Sequence, residues 1–212
     1  NPNKHEGMIY ASNLCHEIAQ NVGFTNLAEE IINEDGTITT KTNTGDMVTC
    51  NLNSISLGRI TDEELEENIA LQIRMLDNVI SINQTPVPES RMTSDKYRAI
   101  GLGTSGYHHY LVNHDIQWES DEHIEVADKL FENIAYYSIK ASMELAKEKG
   151  AYPAFKGSEW ETGEYFTRRG YTSDRWKQLA ADVAKYGIRN GYLMAVAPTG
   201  STSNIANTTA GI

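Results

Sequence analysis

Cysteine is nearly missing from this chain: its 212 residues include two, Cys15 and Cys50. A disulfide-stapled extracellular fold is thereby excluded, and a reducing compartment, read as the cytoplasm, is the expectation. No apolar run is long enough to cross a bilayer and no charged-then-apolar leader opens the chain, so neither a membrane span nor secretion is expected. Cationic residues are also few, 18 Lys and Arg against 29 Asp and Glu, for a formal charge of -11. With no Lys/Arg block interleaved with aromatics, that balance argues against a nucleic-acid partner. An anionic small substrate would have to be held by local backbone dipoles. The chain begins at Asn1 without Met and stops at Gly211-Ile212 in mid-pattern, so a piece of a longer protein is the expectation. What is present, 40% hydrophobic residues, suffices to bury the core of one large domain.

The most informative stretch is Ser12-Asn13-Leu14-Cys15-His16-Glu17-Ile18. It sets an amide, a thiol and a carboxylate at positions 13, 15 and 17, which share one face of an extended segment. Two readings of Cys15 stand on these residues alone, a small buried hydrophobe and a catalytic thiol. Cys50 has the same two.

Met8 to Leu14 reads as a strand leading to that tip, and Asn21 to Thr44 as a loop or hairpin turning at Asn33-Glu34-Asp35-Gly36. A second strand spans Met47 to Ile55 and includes Cys50. Thr61 with Glu64 makes a capping box, and Leu65, Ile69, Ile73, Leu76 and Ile80 form one helical stripe. Pro86 and Pro88 punctuate a loop before a short strand near Tyr97 to Leu102. Gly101 to Gly106 matches GxGxxG, but without an acidic residue placed for a ribose it reads as a tight strand-to-helix turn. His108 and His109 diverge by about 100 degrees on a helix and make a poor metal pair. Ser120 caps a long helix that Gly150 ends, within which Tyr136 and Tyr137 read as packing residues. Ala151 to Tyr171 reads as a loop, and a further helix runs from about Ser173 to Gly187. Gly191 to Ala197 reads as a buried strand. The Pro198-Thr199-Gly200-Ser201-Thr202-Ser203 turn that follows fits either plain helix capping or a phosphate seat.

These segments together resemble the large, catalytic subunit of ribonucleotide reductase. The residues that carry the resemblance are Ser12 to Ile18, Cys50-Asn51-Leu52-Asn53-Ser54 to Leu57-Gly58, Gly101-Leu102-Gly103, and Ala197 to Ser203 running on to Gly211-Ile212. They occur in the family's order over nearly the whole chain. The resemblance implies an α/β fold, a ten-stranded α/β barrel of two five-stranded parallel halves threaded by a finger loop. Residues 1 to 212 would be a single segment of that catalytic barrel, with the finger loop near 12 to 18 and the phosphate-binding turn at 198 to 203. An incomplete barrel leaves sheet edges unpaired, so the isolated chain would self-associate or need the remainder of the subunit.

The resemblance also implies roles. Cys15 would become a thiyl radical that removes the ribose 3'-hydrogen, Glu17 would take the 3'-hydroxyl proton, and Asn13 would hold the sugar. Cys50 would be oxidised to a disulfide with an upstream cysteine outside this sequence, so the chain alone is expected to have no turnover. Ser12 and Pro198, Thr199, Gly200, Ser201, Thr202 and Ser203 would contact a ribonucleoside diphosphate, with residues 199 to 203 on its phosphates. No cofactor or metal is expected on this segment. The radical would come from a separate metal-containing small subunit, electrons from an external dithiol of the thioredoxin or glutaredoxin type, and the full-length subunit would be a homodimer. Two other readings stand beside this one: the cobalamin-dependent class of the same enzyme, and a non-catalytic scaffold or split-gene piece that binds a complementary chain.

Overall fold

A computed structural model describes residues 1–212. Its seam is a pair of parallel strands, β3 (Leu52–Ser56) and β4 (Gly101–Ser105), in register from Leu52 opposite Gly101 to Ser56 opposite Ser105. β4 is buried at every position. On its other side the 192 to 195 segment runs parallel to it, bridging Met194 to Leu102, with the Leu102 N–H donating to the Leu193 carbonyl at 2.8 Å. This is a mixed α/β chain with an open parallel sheet, as a part of a larger barrel would be.

The expected strand over 191 to 197 shrinks to that single bridge. It meets β4 where glycines leave room, since a Cβ on Gly103 would stand 2.2 Å from the Ala195 carbonyl oxygen. Gly103→Ala is therefore expected to destabilise the fold by about 1–3 kcal/mol, read as a lower midpoint of chemical denaturation. An unchanged midpoint would contradict this packing.

The helices follow most of the sequence signals. Only half of the expected capping box forms: the Glu64 carboxylate accepts from the Thr61 N–H at 2.9 Å, but Thr61 caps no helical N–H because α1 (Leu65–Ile82) starts later, after Glu64; Leu65, Ile69, Ile73, Leu76 and Ile80 are buried as expected. The turn expected over 101 to 106, after a strand near Tyr97 to Leu102, is shifted along the chain. Tyr97 is helical, 101 to 105 are the strand because their N–H and C=O groups pair with β3, and only the left-handed Gly106 turns β4 into α3 (Tyr107–Asn113). Ser120 caps α4 (Asp121–Lys149) by accepting from the His123 N–H at 3.1 Å, and Gly150 ends it at φ 82°. α7 (Asp174–Tyr186) packs across α4, where Tyr136 meets Trp176 edge-on at 5.1 Å. No helix is long and apolar enough to cross a membrane.

Four further readings of local structure are corrected. Met8 to Leu14 forms no strand, because it has no neighbouring strand; only the bond from the Val22 N–H to the Met8 carbonyl closes it. Residues 47 to 51 precede β3 instead of belonging to it: the Met47 N–H goes to Thr93 Oγ1 at 2.7 Å, and backbone pairing with the neighbouring strand starts only at the Asn51 carbonyl, which accepts from the Gly101 N–H at 2.9 Å. Pro88 opens a helix, α2 (Pro88–Tyr97), because proline at a first helical position loses no hydrogen bond. The 151 to 171 loop contains two short helices, α5 (Glu159–Thr162) and α6 (Glu164–Arg168), whose Trp160, Tyr165 and Phe166 enter the core. Between Asn21 and Thr44 the expected hairpin is present as β1 (Asn26–Ile32) and β2 (Ile38–Asn43), antiparallel and solvent-exposed along both strands.

Candidate functional site

A clamp of buried amides and phenols fixes the base of the 12 to 18 stretch. The Asn21 amide donates to the Asn3 carbonyl at 2.9 Å and to Tyr97 Oη at 3.2 Å, and Tyr192 Oη accepts from its backbone N–H. Asn3, fully buried, donates in turn to the Gly191 carbonyl and accepts from the Tyr152 hydroxyl. Ile18 and Gln20 are buried beside this clamp. The returning chain crosses at Gly45, where a Cβ would lie 2.2 Å from the Gly23 carbonyl carbon, so the two backbones touch.

Above that base the tip is a turn, not the extended segment expected from the alternation at 13, 15 and 17. The His16 N–H donates back to the Asn13 carbonyl at 3.1 Å, and His16 adopts φ 65°. Asn13 Oδ1 accepts from the Ile18 N–H at 3.0 Å, which leaves its amide nitrogen to donate elsewhere. Ser12 Oγ pairs with His16 Nδ1 at 2.9 Å. Position 16 has no role in the sequence reading; here it is the left-handed corner of the turn, and the tolerance of His for that conformation is the one signal that pointed to it.

Cys15 stands exposed at the apex as a free thiol, next to Leu14, which is 94% exposed. Glu17 turns inward, and its Oε2 is buried with no hydrogen-bond partner. Cys50, the other free thiol, lies opposite, and a cavity of about 180 Å³ lined by Ser12, Asn13, Gln20, Val48 and Cys50 separates the two segments. Ser12, Asn13 and Ile18 of the tip line that cavity together with Cys50, so the two cysteine-bearing segments meet across it although they are far apart in sequence. Cys50 is exposed as a residue, yet partial burial of its sulfur pushes the thiol up, and the negative charge of Glu17 pushes it further. Glu17→Gln removes that charge, so alkylation of Cys50, followed by mass spectrometry, is expected to reach half its maximal rate at a lower pH than in the parent. An unmoved profile would show that the carboxylate does not act on this sulfur.

The 198 to 203 stretch borders a separate cleft. Thr199, at φ 50°, precedes α8 (Gly200–Ile205), and its hydroxyl accepts from the Gly211 N–H at 2.8 Å. Gly200, Ser201 and Thr202 are exposed, and the first N–H groups of a helix have no partner within it. Ser203 is turned in, with its hydroxyl on the Gly200 carbonyl, and Pro198 lies at the surface. Thr199 and Thr202 share a cleft of about 330 Å³ with Leu52, Asn53, Ser54, Ser56 and Ser105. Ligands of parallel α/β sheets bind beyond the carboxyl ends of the strands, which is where Ser56 and Ser105 lie. The cleft begins at Leu52, two residues or roughly 7 Å of extended chain from Cys50. No group of three or more His, Cys, Asp and Glu side chains is arranged to hold a metal ion.

The lining residues Asn53, Ser54, Ser56 and Ser105 were absent from the sequence-derived site. Only the parallel register of β3 and β4 brings them to it.

Comparison with known proteins places this geometry in context. Residues 1–212 match the family model described as ribonucleotide reductase, barrel domain. The chain is 54% identical, over its whole length, to the ribonucleoside-diphosphate reductase subunit alpha of Treponema pallidum (strain Nichols), and covers 26% of that protein. It is 36% identical over 99% of its length to the protein of the same name from Helicobacter pylori strain J99, covering 33% of it. For the Synechocystis sp. protein of that name the figures are 35% identity, 100% of this chain and 26% of the relative. The chain thus spans about a quarter to a third of the curated relatives it matches.

Proposed function

Because the chain belongs to the ribonucleotide reductase barrel-domain family, we propose that the protein containing it reduces ribonucleoside diphosphates to deoxyribonucleotides in the cytoplasm, as the large subunit of the enzyme. Residues 1 to 212 act as a single segment of the catalytic barrel. The observation that carries this reading is that Cys50 and the Ser12 and Asn13 end of the tip line one cavity, continuous in sequence with the hydroxyl-lined cleft. Each relative is named a subunit alpha, which supports an enzyme that works with a second subunit; the radical is assigned to that subunit.

Cys15, as a thiyl radical, takes the hydrogen from C3' of the ribose and becomes a thiol. Glu17 Oε2, which lacks a donor within the chain, accepts the 3'-hydroxyl proton by general base catalysis. The Asn13 amide holds the sugar hydroxyl and Ser12 borders the same cavity. The 2'-hydroxyl is protonated and leaves as water. Cys50 suits the proton and electron supply, because partial burial and the charge of Glu17 favour its neutral thiol. Two electrons require two thiols, and a disulfide is the product. With Cys15 returning its hydrogen to C3', the second thiol must come from elsewhere in the subunit, since the chain contains only two cysteines. An external dithiol then reduces the disulfide. Pro198 to Ser203 seat the phosphates, chiefly through the exposed Gly200, Ser201 and Thr202.

The test is direct. Full-length protein, supplied with its radical-generating subunit and a dithiol, is expected to convert cytidine diphosphate to its deoxy form. No conversion with any ribonucleoside diphosphate would refute the reading.

A further inference from the structure

Ser56 and Ser105 end β3 and β4 as partners in the parallel register, and both face the cleft that Thr199 and Thr202 border from the other side. Ser56 Oγ is buried without a hydrogen-bond partner, and Ser105 is 5% exposed. A buried hydroxyl left unpaired is costly, so such groups point to a missing partner. The remaining polar lining is Asn53, Ser54 and the two threonines, with no charged side chain. In a chain with a net charge of -11, a cleft of neutral donors free of carboxylates is a place where an anion meets no repulsion at close range.

We propose that the hydroxyls of Ser56 and Ser105 donate hydrogen bonds to phosphate oxygens of the bound ribonucleotide, forming a two-strand rung opposite the 199 to 203 turn. This rests on the nucleotide-reducing function proposed above and adds residues to its site. Ser56 shares its cleft with Thr199 and Thr202, so the rung faces the turn that seats the phosphates in the proposed function. Neutral hydroxyls suit this place, since they hold the anion through directed bonds and still release it after turnover.

The experiment uses the full-length subunit with Ser56→Ala, Ser105→Ala and the double substitution, and measures affinity for cytidine diphosphate and for cytidine by calorimetry or ligand-observed NMR. The double variant is expected to bind the diphosphate about tenfold more weakly and each single about threefold. Cytidine affinity stays unchanged. The ligand-free melting midpoint is expected not to fall, because Ser56 Oγ makes no internal bond to lose. Unchanged diphosphate affinity in the double variant would overturn the inference, as would an equal loss for cytidine or a fall in the ligand-free midpoint that accounts for the weaker binding. Thr202→Ala separates the two levels of the argument. If the parent binds the diphosphate and Thr202→Ala weakens it while the serine pair does not, this inference alone fails. If the parent binds no ribonucleotide, the proposed function fails with it.

Discussion

Cys15→Ser in the full-length protein is expected to abolish deoxyribonucleotide formation, by roughly 10³-fold or more, while the ribonucleotide still binds. The S–H bond is weak enough to lend and recover a hydrogen, whereas the alcohol O–H that replaces it is too strong to be opened by the same radical. The position itself tolerates the change. Cys15 is exposed at the apex of a turn held by the Asn13 and Ser12 bonds, and its thiol packs against no core residue, so stability should be within about 0.5 kcal/mol of the parent. Turnover with radical partner and dithiol, measured beside substrate affinity, checks both halves. Activity within tenfold of the parent would remove Cys15 from the chemistry.

Asp77→Ala should have the largest effect on the fold. The Asp77 carboxylate is fully buried on α1 and lies 2.7 Å from Arg98 Nη2, 3.2 Å from Arg189 Nε and 3.2 Å from Lys149 Nζ. Those partners come from the end of α2, the end of α4 and the segment that leads to the 192 to 195 bridge. Asn190 joins them through a bond to the Arg98 carbonyl at 2.9 Å. Removing the shared anion leaves three cations around an empty, partly buried site. A loss of about 3–5 kcal/mol is expected, seen as faster amide exchange in α1 and in residues 188 to 195.

The pH dependence follows from the same group. Burial alone would push Asp77 up, but the hydrogen bond and charge of Arg98, then Arg189 and Lys149, outweigh it and hold the carboxyl below its ordinary value. Its stabilisation is therefore complete above the unfolded value near about pH 3.9 and is lost as the pH falls through the lower folded value. Exchange rates unchanged in the variant would show the cluster to be dispensable.

Much of this fold was legible because its signals are local. The bond between Thr61 and Glu64, the Ser120 cap, the Gly150 stop and the hairpin turn at residues 33 to 36 each concern neighbours within a few residues. Pro88 was misread because proline both breaks and begins helices, and only the buried face formed by Ser90, Thr93 and Tyr97 decides between them. The tip was misread for a different reason. An alternating pattern describes an extended chain, but the Asn13 and His16 bonds close a turn that the pattern cannot express. The clamp that seats the tip joins residues such as Asn3 and Gly191, 188 positions apart, and the Asp77 cluster spans α1 to Arg189. Pairings of that range leave no periodicity in a sequence. Cys15 and Glu17 stood out as residue types and, with Cys50, took their roles from the resemblance; the structure sets Cys50 on one cavity with the Ser12 and Asn13 end of the tip.

A single turnover of the full-length protein without external dithiol is the most direct test. With radical partner and substrate present, one deoxyribonucleotide should form per active site. Mass mapping should then find Cys50 in a disulfide with a cysteine outside residues 1 to 212 and Cys15 still a free thiol. Product formed while Cys50 remains reduced and open to alkylation would contradict the assignment of these two sulfurs.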